Sequence, residues 1–517
     1  MAERHSGHEL SVQLAPPLSV TVWVRRSEAS ILAMPARDGA PEIRPLPPVA
    51  PSPKLAALSP GLRAAQARLD RMEPSERSRW RHRIGRNVVE ALRFGLVPRH
   101  AVEALSVGLE LERRLFAGDL ARTREAGAVR VVSAPYGTGK SHALDVLENM
   151  AFRENFVVGR VELDAFECQP NHPRNVYRNL VKSLRVPGAP DQPGLAYLLD
   201  HAAATPAVHR CFTARKEGAY HEFLGPALIN WQALEGDPEA RDWLYQWISG
   251  EDVDLDETRT RCARATARTS LLSLGSYTTL SSHFTNLLGG LASMAVLLGY
   301  SGLVLIFDEA EHLRLLSVEM AQRANDFFRG LVVNALGRTL PPAFLDGCYQ
   351  GGRKKLPFHW RLPAHLYVAL ACTPEPGKDE LLAWLPDRSL VTHLPGRLTS
   401  PEMEQLVERV ATVYGWANPE SLAPDAARRQ HLVAALQYGL VSGALVNLRQ
   451  VVQTLVGALD LIRGLPGWDW ARIALELERY VQGPVAMMVP KPAPADDDEP
   501  DDEWPGEELD EDEPDEP

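Results

Sequence analysis

The stretch that decides the fold is "AVRVVSAPYGTGKSHALDVL", Ala128 to Leu147. Its first five residues form an apolar run of strand character, and beyond Ser141 the apolar positions recur at helical spacing. Between them, Gly137, Gly139, Lys140 and Ser141 fit the end of the pattern GxxxxGK[ST], with Ala134 in place of the first glycine. A strand that breaks into such a turn and restarts as a helix aims backbone N–H groups inward, and the helix N-terminus adds a partial positive charge. The segment therefore reads as a phosphate cradle. Pro135, Tyr136, Gly137 and Thr138 make the turn, and Gly139, Lys140, Ser141 and His142 open the helix. Lys140 is expected to reach the β- and γ-phosphates, and the Ser141 hydroxyl to ligate Mg2+.

A phosphate loop that hydrolyses its nucleotide needs a second acid for the metal and a group that activates water. "LVLIFDEAEHL", Leu303 to Leu313, offers both at the end of a run apolar enough for a central parallel strand. Asp308 is expected to hold Mg2+ through its water shell, and Glu309 to orient or deprotonate the attacking water. Three further strands are legible at Phe156 to Asp164, His365 to Pro374 and Arg388 to Gly396. Helical stretches separate them, which predicts an α/β fold with a parallel, doubly wound sheet. Thr373, at the carboxyl end of its strand, is a candidate for sensing the γ-phosphate, a plain strand cap being the alternative. After Thr399 the pattern is helical throughout, as for a lid over the nucleotide, with Arg449 placed to point back at the phosphates. No hairpin follows these helices, so a winged-helix DNA reader is not expected.

The rest of the chain bounds this reading. Its 517 residues allow two or three domains. Cys168, Cys211, Cys262, Cys348 and Cys372 show no metal-ligand spacing, and the polar start "MAERHSGHEL" has no secretory leader pattern, so a cytoplasmic protein is expected. Asn286 to Phe307 contains no charged side chain over 22 residues, which is spanning length. The turn "GYSG", Gly299 to Gly302, divides that run into a buried helix and a buried strand, and no membrane is expected.

The net charge of −12 resides in the tail, since from Asp496 onward the chain holds 15 of its 67 acids and no base, leaving 52 acids against 55 bases. That proline-punctuated tail is expected to be disordered, and either competes for a basic surface or solubilises. Near the start, "LSVTVWVRR" and "ASILAMP" suggest a hairpin ahead of a Pro-rich linker. Arg77, Arg79, Arg81, Arg83 and Arg86 beside Trp80 make a basic helix that either meets nucleic-acid phosphates or is a solvated face.

Several of these strings together resemble a known family: "GRNVVEALRFGLVP", "SVGLELE" at Ser106 to Glu112, the phosphate loop, "FVVGRVELDAFECQPNHPRNVYRNLVKSLR", "LYQWISGEDV" and "LLGYSGLVLIFDEAEHL". They are similar to the BrxD-type ATP-binding proteins of BREX phage-defence systems, which look like AAA+ ATPases distantly similar to the origin-recognition group. The resemblance runs from about Arg81 to Ile462 and leaves out Met1 to Pro53 and Val489 to Pro517.

It implies an AAA+ type P-loop NTPase with an all-helical lid, and ATP as the nucleotide. It further implies adenine contacts at Val107 and Gly108, a lid arginine at Arg449, and at Arg388 a finger that completes a neighbour's site in a homo-oligomer. Leu109 stands where the family carries an Arg, and Asn447 and Leu448 precede Arg449 where a Pro-Arg pair is usual. The implied division is a peripheral segment and linker at 1–54, a helical N-terminal part of the ATPase module at 55–120, the core at 121–398 with a helical insertion at about 186–300, a lid at 399–488 and the acidic tail at 489–517. The expected function is ATP binding and hydrolysis by a switch or assembly factor that works with other defence subunits near DNA. A nucleotide-loaded adaptor with little turnover, or an initiator-like or transposition-type DNA loader, are the alternatives.

Overall fold

The computed structural model describes residues 7–15, 18–25, 73–214, 220–263, 271–274, 281–337, 356–374, 385, 387–420, 425–465 and 470–482. Strands Gly7–Ala15 (β1) and Leu18–Arg25 (β2) pair antiparallel. The hairpin thus joins "LSVTVWVR" to the strand before it, whereas "ASILAMP" lies outside the described residues. The Pro-rich linker and the acidic tail also lie outside the described residues.

Five parallel strands form the main sheet: Gly127–Ser133 (β3), Val157–Glu162 (β4), Leu303–Asp308 (β5), Leu366–Cys372 (β6) and Val391–His393 (β7). Their order is β4-β5-β6-β3-β7. Every residue of β3, β5 and β6 is buried, as the continuous apolar runs require of strands covered on both faces. The period of two assigns the faces: Val129 and Val131 pack into the core shared with the helical insertion, while Ala128 and Val132 pack on the opposite side with Leu144 and Leu147 of the phosphate-loop helix. Arg130 is buried in β3 and donates to both oxygens of Asp119 at 2.8 and 2.9 Å, and the Tyr367 hydroxyl adds a third bond to that carboxylate at 3.0 Å. A buried charge is tolerated there because it is fully partnered.

Helices fill the connection between β4 and β5, from Pro173–Lys182 to Ser281–Leu297. The long uncharged run resolves into that last helix, buried on nearly every side, a turn with Gly299 at φ 92° and Gly302 at φ 142°, and then β5. Among the described residues no helix is long and apolar enough to cross a membrane.

The C-terminal region is helical, as expected, with helices Ser400–Ala417, Ala426–Ser442, Leu448–Gly464 and Trp470–Gln482. A capping box starts the first of them, where the Thr399 N–H donates to Glu402 at 2.6 Å. The helix Pro74–Arg93 belongs to this same packed unit: Ile84, Val88, Val89 and Leu92 share a core with Met403, Val410, Leu436, Val451 and Leu455. Gly85 permits the close approach, since a Cβ there would meet the Ala417 nitrogen at 2.6 Å. The α/β arrangement expected from the sequence is therefore present as a parallel sheet flanked by helices and followed by a helical region, and a helix from before the sheet is built into the latter.

Candidate nucleotide site

The phosphate loop leaves β3 and turns on two glycines with left-handed backbone, Gly137 at φ 74° and Gly139 at φ 100°. Side chains rarely adopt such angles, so these two positions require glycine. Nothing lies within 4 Å of where a Gly139 Cβ would stand, whereas a Gly137 Cβ would meet the Asn447 side chain at 2.6 Å. Thr138 closes the turn on Pro135 through its hydroxyl at 2.6 Å. The Lys140–Arg153 helix then begins at the loop, with its first N–H groups without helical partners.

Lys140 is buried, and its ammonium donates to the Thr373 hydroxyl at 2.7 Å and lies 3.8 Å from Glu311 Oε1. Thr373 follows β6, the strand inserted between β3 and β5, and for that reason it stands between the loop and Asp308. Thr373 in turn donates its hydroxyl to Glu311 Oε1 and its N–H to Glu311 Oε2 at 3.1 Å, and its carbonyl accepts from Arg314. Asp308 ends β5. One of its oxygens accepts from the Glu309 N–H at 3.1 Å and the other from Arg160 Nη2 at 3.0 Å.

Glu309 itself has φ 55°, an uncommon angle for a residue with a side chain, and one that turns the chain sharply after Asp308 into the short helix Ala310–Leu315. Burial first, and then the negative charge of Glu311, push the Glu309 carboxyl up to about 7. Burial also opposes the Glu311 charge, but the Thr373 bonds and Lys140 outweigh it and hold that carboxyl below its ordinary value.

Val107 is buried and Gly108 has φ 70° in the loop that precedes the Glu110–Thr123 helix. The preceding Ser106 ties this loop to the phosphate-loop helix. Its hydroxyl donates to the Val102 carbonyl at 2.6 Å and so accepts from His142 Nε2 at 2.9 Å, which assigns the ring proton to Nε2. Loss of solvation, with a contribution from Arg113, pushes His142 down to about 4 and keeps the ring neutral. Arg449 approaches from the C-terminal helices. Its side chain donates to the Tyr136 hydroxyl at 2.7 Å and lies over that ring, and its backbone N–H bonds the Gly137 carbonyl at 3.2 Å.

Gly137, Lys140, Asp308, Glu309 and Thr373 are thus gathered at one end of the sheet, with Val107, Gly108 and Arg449 beside them. Arg388 is not among them. It is exposed just before β7, whose Val391 is level with Val131, so Arg388 lies toward the far end of β3 from the loop.

Two participants escaped the sequence reading. Arg160 on β4 joins Asp308, Asp145 and Glu148. Its signal was a basic residue inside the otherwise apolar run "VVGRV". Arg314 was hidden in a short helix with no period to read. The donor set suits an ATP–Mg2+ ligand: the N–H groups that open the Lys140–Arg153 helix, one ammonium, and the Ser141 hydroxyl and Asp308 carboxylate for the ion.

Residues 81–209 match the family model described as BREX system ATP-binding protein BrxC/D. A Walker-type ATPase of Pyrococcus abyssi is similar at 11% identity over 74% of each chain with a TM-score of 0.31, too low a similarity to carry a functional reading. No curated protein matches the chain. The matched segment contains the phosphate loop, its helix and β4, and the similarity to the BREX ATP-binding family extends over residues 81–209.

Proposed function

We propose that the chain binds ATP with Mg2+ and hydrolyses it to ADP and phosphate, and that this cycle switches or assembles a BREX-type defence complex in the cytoplasm near DNA. The observation that carries the reading is the buried Lys140 ammonium, which follows the glycine turn and meets the Thr373 hydroxyl at 2.7 Å and Glu311 Oε1 at 3.8 Å. Loop N–H groups and Lys140 bind the phosphates, while Val107 and Gly108, next to His142, take the adenine. Ser141 and Asp308 hold the Mg2+ ion, which when bound neutralises charge on the phosphate oxygens. Glu309 accepts a proton from the attacking water, a task suited to a carboxyl whose value lies near 7.

Arg388 acts in trans if it acts at all, completing the site of a neighbouring copy in a homo-oligomer, and its exposure is consistent with that use. Arg79, Arg83 and Arg86 support direct DNA contact, because they are exposed at helical spacing along one face of the Pro74–Arg93 helix. One observation favours the adaptor with little turnover: Glu311 already engages both Thr373 and Lys140, so the residues of hydrolysis are partnered among themselves. Phosphate release from ATP, measured with and without duplex DNA, separates the two. Turnover that rises with DNA supports the switch, and nucleotide binding without turnover leaves the adaptor.

A further inference from the structure

The Thr373 hydroxyl has a single proton to give. It accepts from Lys140 at 2.7 Å and donates to Glu311 Oε1, while Glu311 Oε2 takes the Thr373 N–H at 3.1 Å. The carboxylate thus grips Thr373 with both oxygens. Arg314, from the same Ala310–Leu315 turn, binds the Thr373 carbonyl. One turn directly after Asp308 and Glu309 therefore fixes the N–H, the hydroxyl and the carbonyl of the residue that meets Lys140.

A phosphate oxygen only accepts hydrogen bonds, so a hydroxyl that recognises a γ-phosphate must donate to it. Here the donation is already committed to a carboxylate, which is among the stronger acceptors a protein offers. We propose that Glu311 is a positioning residue that sets the preference of the site for ATP over ADP. The Thr373 O–H turns from Glu311 Oε1 to a γ-phosphate oxygen when ATP is bound and stays on Glu311 when ADP is bound. This rests on the ATP-binding reading above. Because turning away from a carboxylate costs a charge-assisted bond, Glu311 restrains the preference for ATP rather than enhancing it.

Glu311→Gln tests this. The amide keeps the shape, accepts from the Thr373 N–H and donates to the Thr373 hydroxyl oxygen, which releases the O–H for phosphate. The measurement is calorimetric affinity, with Mg2+, for ADP and for the β,γ-imido analogue of ATP. The variant is expected to raise the ratio of analogue to ADP affinity about tenfold, the scale of one hydrogen bond to a charged group. Removing a negative charge near Lys140 would also favour the extra phosphate, and that effect needs no hydroxyl. Thr373→Val distinguishes the two: in its background Glu311→Gln is expected to change the ratio by less than about threefold, and Thr373→Ser is expected to restore the full gain.

Equal gains in the Thr and Val backgrounds, or no gain in either, overturn the inference. Glu311→Ala, which removes the acceptor outright, is expected to shift the ratio in the same direction, and a fall would overturn the inference independently of the Gln variant. If the unaltered chain binds neither nucleotide, the ATP reading fails and takes this inference with it. If it binds both and the ratios do not move, only the role of Glu311 fails.

Discussion

The Lys140 ammonium and the Thr373 hydroxyl, 233 residues apart in the chain, are joined at 2.7 Å across the carboxyl edge of the sheet. This bond links the phosphate loop to the strand that lies between it and Asp308. The first prediction follows from it. Lys140→Ala removes the side-chain cation that the loop aims at the phosphates, and is expected to weaken ATP binding by on the order of a hundredfold or more. Titration with a fluorescent ATP analogue checks this, and unchanged affinity would remove the nucleotide site from this loop.

Glu309→Gln keeps the shape of the side chain and cannot take a proton. Binding is expected to be retained and turnover to fall by roughly 10²- to 10⁴-fold, the usual contribution of a general base. Single-turnover phosphate release reads it. Turnover at the unaltered rate in this variant transfers the role to Glu311 or to a neighbouring subunit.

Arg160 supports the site from beneath. Its guanidinium joins Asp308, Asp145 and Glu148, and these carboxylates keep its pKa raised although burial opposes the charge. Arg160→Met would take from Asp145 and Asp308 the guanidinium they share, while Glu148 keeps Arg185 and Arg99, at a cost of roughly 3–5 kcal/mol. Urea unfolding followed by circular dichroism is the measurement, and a midpoint within error of the unaltered chain would show that the cluster contributes nothing net.

The contact between the Pro74–Arg93 helix and the C-terminal helices is acid-sensitive. Arg93 donates to both oxygens of Asp460, and the Tyr414 hydroxyl donates to Asp460 at 2.6 Å. Burial works against the Asp460 charge, but the Arg93 and Tyr414 bonds prevail and hold its carboxyl below the ordinary value. A depressed carboxyl adds stability that is present above its unfolded-state value and is lost as pH falls through the folded-state value. Asp460→Asn is therefore expected to cost about 1–2 kcal/mol at neutral pH, and the gap from the unaltered chain to close as pH falls below the ordinary carboxylate range. Thermal unfolding across that range measures it, and a gap independent of pH would contradict the assignment.

DNA contact is testable at the exposed stripe of Arg79, Arg83 and Arg86. If all three meet phosphates, replacing them by Ala should lower the salt slope of duplex binding by about 3 and leave ATP affinity unchanged. Truncation after Ala495 removes the 15 acids of the tail and should strengthen duplex binding at low salt if the tail competes for the same surface. Superimposable salt titrations of full-length and truncated chains would instead assign the tail to solubility or to another partner.

The chain determined by itself whatever is written in contiguous residues. The turn through Gly137 and Gly139, the Lys140–Ser141 pair and the Asp308–Glu309 pair are each fixed by local backbone geometry and by the run of apolar residues before them, so each was legible and falls where a strand ends. The helical character of the region after Thr399 was legible for the same reason, through its period. Alternation marks a strand without naming its partner, and Leu18–Arg25 pairs with Gly7–Ala15, a strand the sequence reading did not name.

What only the tertiary structure decided is adjacency between distant segments. Strand order placed β6 beside β3 and so brought Thr373 to Lys140. A sheet edge can accept any sufficiently apolar strand, and the sequence pattern does not rank them. The same holds for Arg160 reaching Asp308, for Glu311 taking Thr373, and for the Pro74–Arg93 helix joining a core more than 300 residues further along the chain. Apolar burial is non-directional and specifies that a face be covered, not by which segment. The choice is made by packing and by the buried hydrogen bonds that must all be satisfied together.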